Sequence, residues 1–118
     1  MERILAELNK TTSIIGSFVV AADGIIVASD FATELNDELM GALTSSIINS
    51  TEKAVRKMEQ GELVSFIVET DSNKMFFHST RTGFLVCVAA PDTNLGLVRV
   101  EMRAAAEKLN ASLGLGVR

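Results

Sequence analysis

Residues 34–59 read ELNDELMGALTSSIINSTEKAVRKME, and the spacing predicts one long helix from Glu34 to Glu59. At about 100° per residue, Leu39, Leu43, Ile47, Ala54 and Met58 fall on one stripe, with Met40 beside it. Ile48 and Val55 lie further round, with Thr44 and Thr51 next to them. Glu38, Ser45, Asn49, Glu52, Arg56 and Glu59 take the opposite side. Apolar and small residues therefore span about 220° of the circumference, whereas a helix lying on its own core needs an arc of only about 100° or a little more. The excess implies two buried faces. One covers a sheet of the same chain, and the other meets a second copy or a different partner. Ser46, Ser50 and Ala54 recur at i, i+4 and i+8, so a neighbouring backbone could come close there. The simpler alternative is a central helix in a small monomer.

The bulk numbers fit one small globular domain spanning residues 1–118. Hydrophobic residues make up 47% of the chain, enough for a sizeable core with some left for an interface. Eleven Lys and Arg against fifteen Asp and Glu give a net charge of −4, which speaks against nucleic acid as a partner. The chain has no Trp or Tyr to interleave with basic residues as a stacking platform. Cys87 is the only cysteine, so no intramolecular disulfide can form. The first residues lack the pattern of a secretory signal, and the apolar runs fall far short of the roughly 18 residues of a membrane span. The expected setting is the cytoplasm, without direct membrane insertion.

In chain order, Glu2 to Lys10 makes a short helix with Ile4, Leu5 and Leu8 on one face. Ile15–Ala22 and Ile25–Ser29 are strands joined by a tight Asp23-Gly24 turn, whose residues both tolerate positive φ. Thr33 is the candidate N-cap of the long helix and Gly61 its candidate C-cap, with Glu52 and Arg56 as an i, i+4 pair. Strands follow at Leu63–Thr70, Lys74–Thr80 and Phe84–Ala90, linked by the turns Asp71-Ser72-Asn73 and Arg81-Thr82-Gly83. Asp92 or Thr93 can cap a last helix over Asn94–Leu113, with Gly114 as a left-handed stop and Leu115 as its apolar contact.

Several strands are apolar on both sides. In the last, Phe84, Val86 and Val88 alternate with Leu85, Cys87 and Ala89, so both faces of the sheet need covering. The order α-β-β-α-β-β-β-α then gives an α/β (α+β) three-layer sandwich around a five-stranded antiparallel sheet. The long helix covers one face and the terminal helices the other. Leu63–Thr70 carries little charge to guard an exposed edge, so a second copy could pair there while the long helices meet alongside. The residues expected at that dimer interface are Thr44, Ile48, Thr51, Val55, Leu63, Ser65 and Ile67.

Residues for catalysis are scarce. His78 is the only histidine and has no partners at a metal or triad spacing. Cys87 sits in an apolar strand without a basic neighbour, as inert core cysteines do. No GxxxxGK[ST] loop occurs. Asp23, Asp71 and Asp92 are read as turn or cap residues, and Arg81, Arg99 and Arg103 as solvated surface.

Phe18–Ser29 (FVVAADGIIVAS), Gly61–Glu69 (GELVSFIVE), Phe84–Ala89 (FLVCVA) and Asn94–Arg103 (NLGLVRVEMR) together resemble the Roadblock/dynein light chain family. The resemblance implies a profilin-like roadblock fold. It also implies a homodimer or heterodimer with the long helices side by side and the middle edge strands joined. It further implies a regulator or scaffold that binds a Ras-like small GTPase, as in the bacterial Mgl system, or a dynein-light-chain-like structural adaptor. The family has no active-site motif, so the chain is not expected to be an enzyme, and no cofactor or metal is implied. On the long helix, Ser45, Asn49, Glu52 and Arg56 are the residues expected to face the GTPase, Arg56 being that helix's only arginine. A small-molecule sensor of profilin- or PAS-like architecture is the alternative from a different class, and would need a cavity between sheet and helix.

Overall fold

The first hairpin turns over three residues rather than two. In this computed structural model, which describes residues 1–11, 13–34 and 36–116 with the side chains of 113–116 aside, the Gly24 N–H donates to the Ala21 carbonyl at 2.9 Å, and the Ala21 N–H donates to that of Ile25 at 2.8 Å. Asp23 accepts from the Ile25 N–H through Oδ1 at 3.1 Å, and only Gly24 takes a positive φ, +88°. The corner is thus a β-turn followed by a left-handed glycine, in place of a two-residue turn with both residues at positive φ.

The elements are α1 (Glu2–Leu8), β1 (Ile14–Ala21), β2 (Ile26–Phe31), α2 (Asp37–Lys57), β3 (Ser65–Glu69), β4 (Lys74–Ser79), β5 (Gly83–Ala89) and α3 (Leu95–Gly116). The five strands form one sheet in the order β2-β1-β5-β4-β3, antiparallel throughout. This is the expected element order and three-layer architecture, and β3 stands at an edge of the sheet.

Each face of the sheet has its own core, as the doubly apolar strands require. On one side Val19, Phe76, Leu85, Cys87 and Ala89 pack with Leu5 and Leu8 of α1 and with Val98, Met102, Ala105 and Leu109 of α3. On the other, Phe18, Val20, Phe77, Phe84 and Val86 pack with Ile48 of α2. A polar chain secures α1. The buried Ser17 hydroxyl donates to Asn9 Oδ1 at 2.8 Å, and Asn9 Nδ2 donates to the Asp30 carbonyl at 2.7 Å and to Asp30 Oδ2 at 3.0 Å.

The helix ends differ from expectation. Asn36, not Thr33, caps α2, its Oδ1 accepting from the Leu39 N–H at 3.0 Å. At the other end Glu59 takes the left-handed conformation (φ 56°) ahead of Gly61. The Glu59 N–H donates to Arg56 O and the Gln60 N–H to Val55 O, the paired bonds of a Schellman stop. Asn94, not Asp92 or Thr93, caps α3 through Oδ1 to the Leu97 N–H at 3.0 Å. The Thr93 hydroxyl is buried without a partner among the described residues. Helix α3 continues through Gly114 to Gly116, so Gly114 is not its stop, and the Leu115 contact lies outside the described side chains.

The packing of α2 has a narrow tolerance. A Cβ added at Gly41 would collide with the backbone carbonyl oxygen of Gly24. Alanine favours a helix interior over glycine by about 1 kcal/mol, but a backbone clash costs about 1–3 kcal/mol. Gly41→Ala is therefore expected to destabilise the fold by up to about 2 kcal/mol, read as a lower urea midpoint at unchanged slope.

Candidate partner-binding face

Three faces of α2 follow from its spacing. Gly41, Thr44 and Ile48 are buried, and Thr51 and Val55, next along the same stripe, are half-buried. Small residues lead this stripe because the helix lies so close to the hairpin turn. The threonine hydroxyls are satisfied within the helix: Thr44 Oγ1 donates to the Met40 carbonyl at 2.7 Å and Thr51 Oγ1 to that of Ile47 at 2.8 Å. Asp37 and Glu38 in the first turn, and Arg56 and Lys57 in the last, complement the helix dipole.

The stripe of larger apolar residues faces outward. Leu39 is 53% exposed, Leu43 52%, Ile47 37% and Met58 64%. Ser46, Ser50 and Ala54 are exposed among them. From Leu39 to Met58 the stripe runs about 28 Å. On the same side of the sheet Phe66, Val68 and Met75 are only half-buried, since the closest backbone approaches of α2 are to β1 and β2. Phe66 stacks flat on Phe77 with ring centroids 4.3 Å apart. Beyond it, β3 presents an edge with no strand beside it.

The residues expected at a dimer interface fall in different places within the chain. Thr44 (1% exposed) and Ile48 (6%) belong to the chain's own core and are not available to a partner. Thr51 and Val55 lie half under the helix, and Leu63 packs half-buried against the same core. Ser65 and Ile67 are exposed at the β3 edge, on the sheet face that carries α3, alternating with Phe66 and Val68 on the α2 face. Leu39, Leu43, Ile47 and Met58, read from the wheel as one apolar stripe, form the open one. The signal that could have assigned the two faces was Gly41, which marks the side of closest approach.

The row expected to face a GTPase is split. Ser45, Asn49 and Glu52 line a groove of about 220 Å³ with the turn at Arg81, Thr82 and Gly83. Arg56 is outside it. Its guanidinium binds Glu62 at 3.0 Å rather than Glu52, and that hydrogen bond and charge raise its pKa. Glu62, on the connector after the Schellman stop, presents a better-placed carboxylate than Glu52 one turn back.

The Roadblock/LC7 domain model matches residues 1–90. The uncharacterized protein MJ1340 of Methanocaldococcus jannaschii is 36% identical over 111 residues, covering 94% of this chain and 97% of that protein. Among solved structures, Myxococcus xanthus MglB superposes with a TM-score of 0.89 at 18% identity, over 96% of this chain and 94% of that one. A structure described as MglB with tetrameric arrangement superposes with a TM-score of 0.83 at 17% identity, over 92% and 84%. The structural likeness at these identities is one of fold.

Of the titratable groups singled out by sequence, His78 is half-buried with Nδ1 3.0 Å from the Ser79 carbonyl, which fixes Nδ1 as the donor. Cys87 is fully buried between β5 and the α1–α3 layer, and burial pushes its thiol up to about 12. A thiol harder to ionise in the fold than in the open chain stabilises the fold fully below the open-chain value, 9.0. That contribution is lost as pH rises from there through about 12. We expect Cys87 to resist a thiol reagent at pH 8 in the native protein and to react at once in urea, and the thermal midpoint to fall across that alkaline window less in Cys87→Ala than in wild type.

Proposed function

The chain belongs to the Roadblock/LC7 domain family, and from that premise we propose that it is a non-catalytic regulatory domain that acts as a cytoplasmic homodimer and binds a Ras-like small GTPase. The observation that carries the reading is the exposed apolar stripe of α2 beside the open edge of β3. A two-fold axis through β3 would join two sheets into one and lay the α2 helices side by side, covering Leu39, Leu43, Ile47 and Met58. Ser46, Ser50 and Ala54 allow the close helix approach this needs. The half-buried Phe66, Val68 and Met75 would gain cover at the same seam.

Such a dimer presents two rows of Ser45, Asn49 and Glu52. A single GTPase on a two-fold surface contacts the two copies differently. Stimulation of hydrolysis would then come from positioning the GTPase's own switch residues. The arginine-finger route is the less favoured, because Arg56 would first have to leave Glu62.

Light scattering should give twice the 12.7 kDa chain mass for wild type. Leu43→Asp should give a folded monomer by circular dichroism. Ile48→Asp should instead unfold the chain, because it places a charge in the core. A monomeric wild type removes the homodimer. Titration with Ras-like GTPases of the same organism, loaded with a GTP analogue or with GDP, should show binding that depends on the nucleotide and is lost in Leu43→Asp. Absence of binding in both states rejects the GTPase partner, and unchanged stimulation by Arg56→Ala rejects the finger.

A further inference from the structure

On the opposite face of the sheet, a groove of about 240 Å³ lies between the β3–β4 edge and α3. Ile67, Phe76 and Met102 give it apolar walls, and His78, Arg99 and Arg103 stand around them. The two arginines are one turn apart on the same side of α3. Neither forms an ion pair among the described residues, although Glu107 follows Arg103 by one turn. His78 has its Nδ1 hydrogen committed to the Ser79 carbonyl, which leaves Nε2 without a partner among the described residues. In a chain of net charge −4, two unpaired guanidinium groups beside an apolar cleft form a local exception. They also lie beyond the residues matched by the family model, which ends at residue 90.

We propose that this groove binds a small amphiphile with a phosphate head and a short apolar body. The head is chosen by the donors. Guanidinium groups match phosphate oxygens in geometry and charge and bind them by short, charge-assisted hydrogen bonds. The body is chosen by the walls, and its length by the volume. Pockets for drug-sized ligands span about 300–1,000 Å³, so this one holds a chain of a few carbons and excludes a full lipid tail. The groove lies on the sheet face opposite α2, and its β3 wall, with Ser65 and Ile67, borders the edge through which the proposed seam runs.

The test uses the full chain, with hexyl phosphate as probe and hexanol, hexanoate and inorganic phosphate as controls. Calorimetry should show saturable binding of one hexyl phosphate per chain, and the three controls at least tenfold weaker. Methyl resonances of Ile67 and Met102 should shift on binding. Arg99→Gln and Arg103→Gln, both at exposed positions, should each weaken binding about tenfold with unchanged circular dichroism. Ile67→Glu should abolish binding by placing an anion at the groove. No saturable binding by the folded wild type overturns the proposal. So does undiminished affinity in the double arginine variant, tighter binding of hexanoate, or binding to anionic phospholipid vesicles without binding to hexyl phosphate.

Discussion

The contact between Gly41 and the carbonyl of Gly24 sets the rotation of α2, and most of what is distinctive about the molecule follows from it. The two backbones can meet there because Gly41 carries no side chain at the point of contact. Gly24 supplies a left-handed corner that ordinary residues adopt at a cost, and Gly41 supplies a bare patch of helix. Once Gly41 faces the hairpin, Thr44 and Ile48 must follow it inward at helical spacing. Leu39, Leu43 and Ile47 are then turned away from the sheet, although each is larger than Gly41 or Thr44.

The two layers consequently have unequal cores. The α1–α3 side buries Leu5, Leu8, Val98, Met102 and Leu109 from its helices. The α2 side receives one large, fully covered apolar side chain from its helix, Ile48, and relies on phenylalanines of the sheet for the rest. A helix 21 residues long that contributes so little to its own core leaves much of its apolar surface for another molecule. Exposed single leucines are ordinary, but a continuous apolar stripe on a small protein marks an interaction site.

The architecture was legible because strand and helix periods are hard to confuse over long runs. Phe84–Ala89 alternates apolar on both sides, and no two-layer arrangement could cover it. The edge position of β3 was conditional in the sequence and an implication of the family resemblance; its low charge told only that such an edge would be unguarded. The rotation of α2 was not legible from hydrophobicity, because the wheel holds two apolar arcs and the less bulky one went inward. That choice depends on a contact between Gly24 and Gly41, 17 positions apart, which no local pattern encodes. Caps failed for a related reason. Thr33 and Asn36 are both good capping types, and only the reach of Asn36 Oδ1 to the Leu39 amide separates them. Arg56 found Glu62 through the reversal of the chain at Glu59, where i, i+4 reasoning on a straight helix stops.

The chain of hydrogen bonds from Ser17 through Asn9 to Asp30 has a consequence for how such a sheet can grow. It draws the end of α1 against β2 and occupies the Asp30 backbone carbonyl, so that end of the sheet has a neighbour of its own. The opposite end has none among the described residues. A sheet that is open on both sides can add copies without limit, as fibrils do. One that is open on a single side exhausts its growth when two equivalent edges meet. Asn9, on the far side of the molecule from β3, thus takes up one of the backbone acceptors that an incoming strand would need at the β2 edge, and makes the two ends of the sheet unequal.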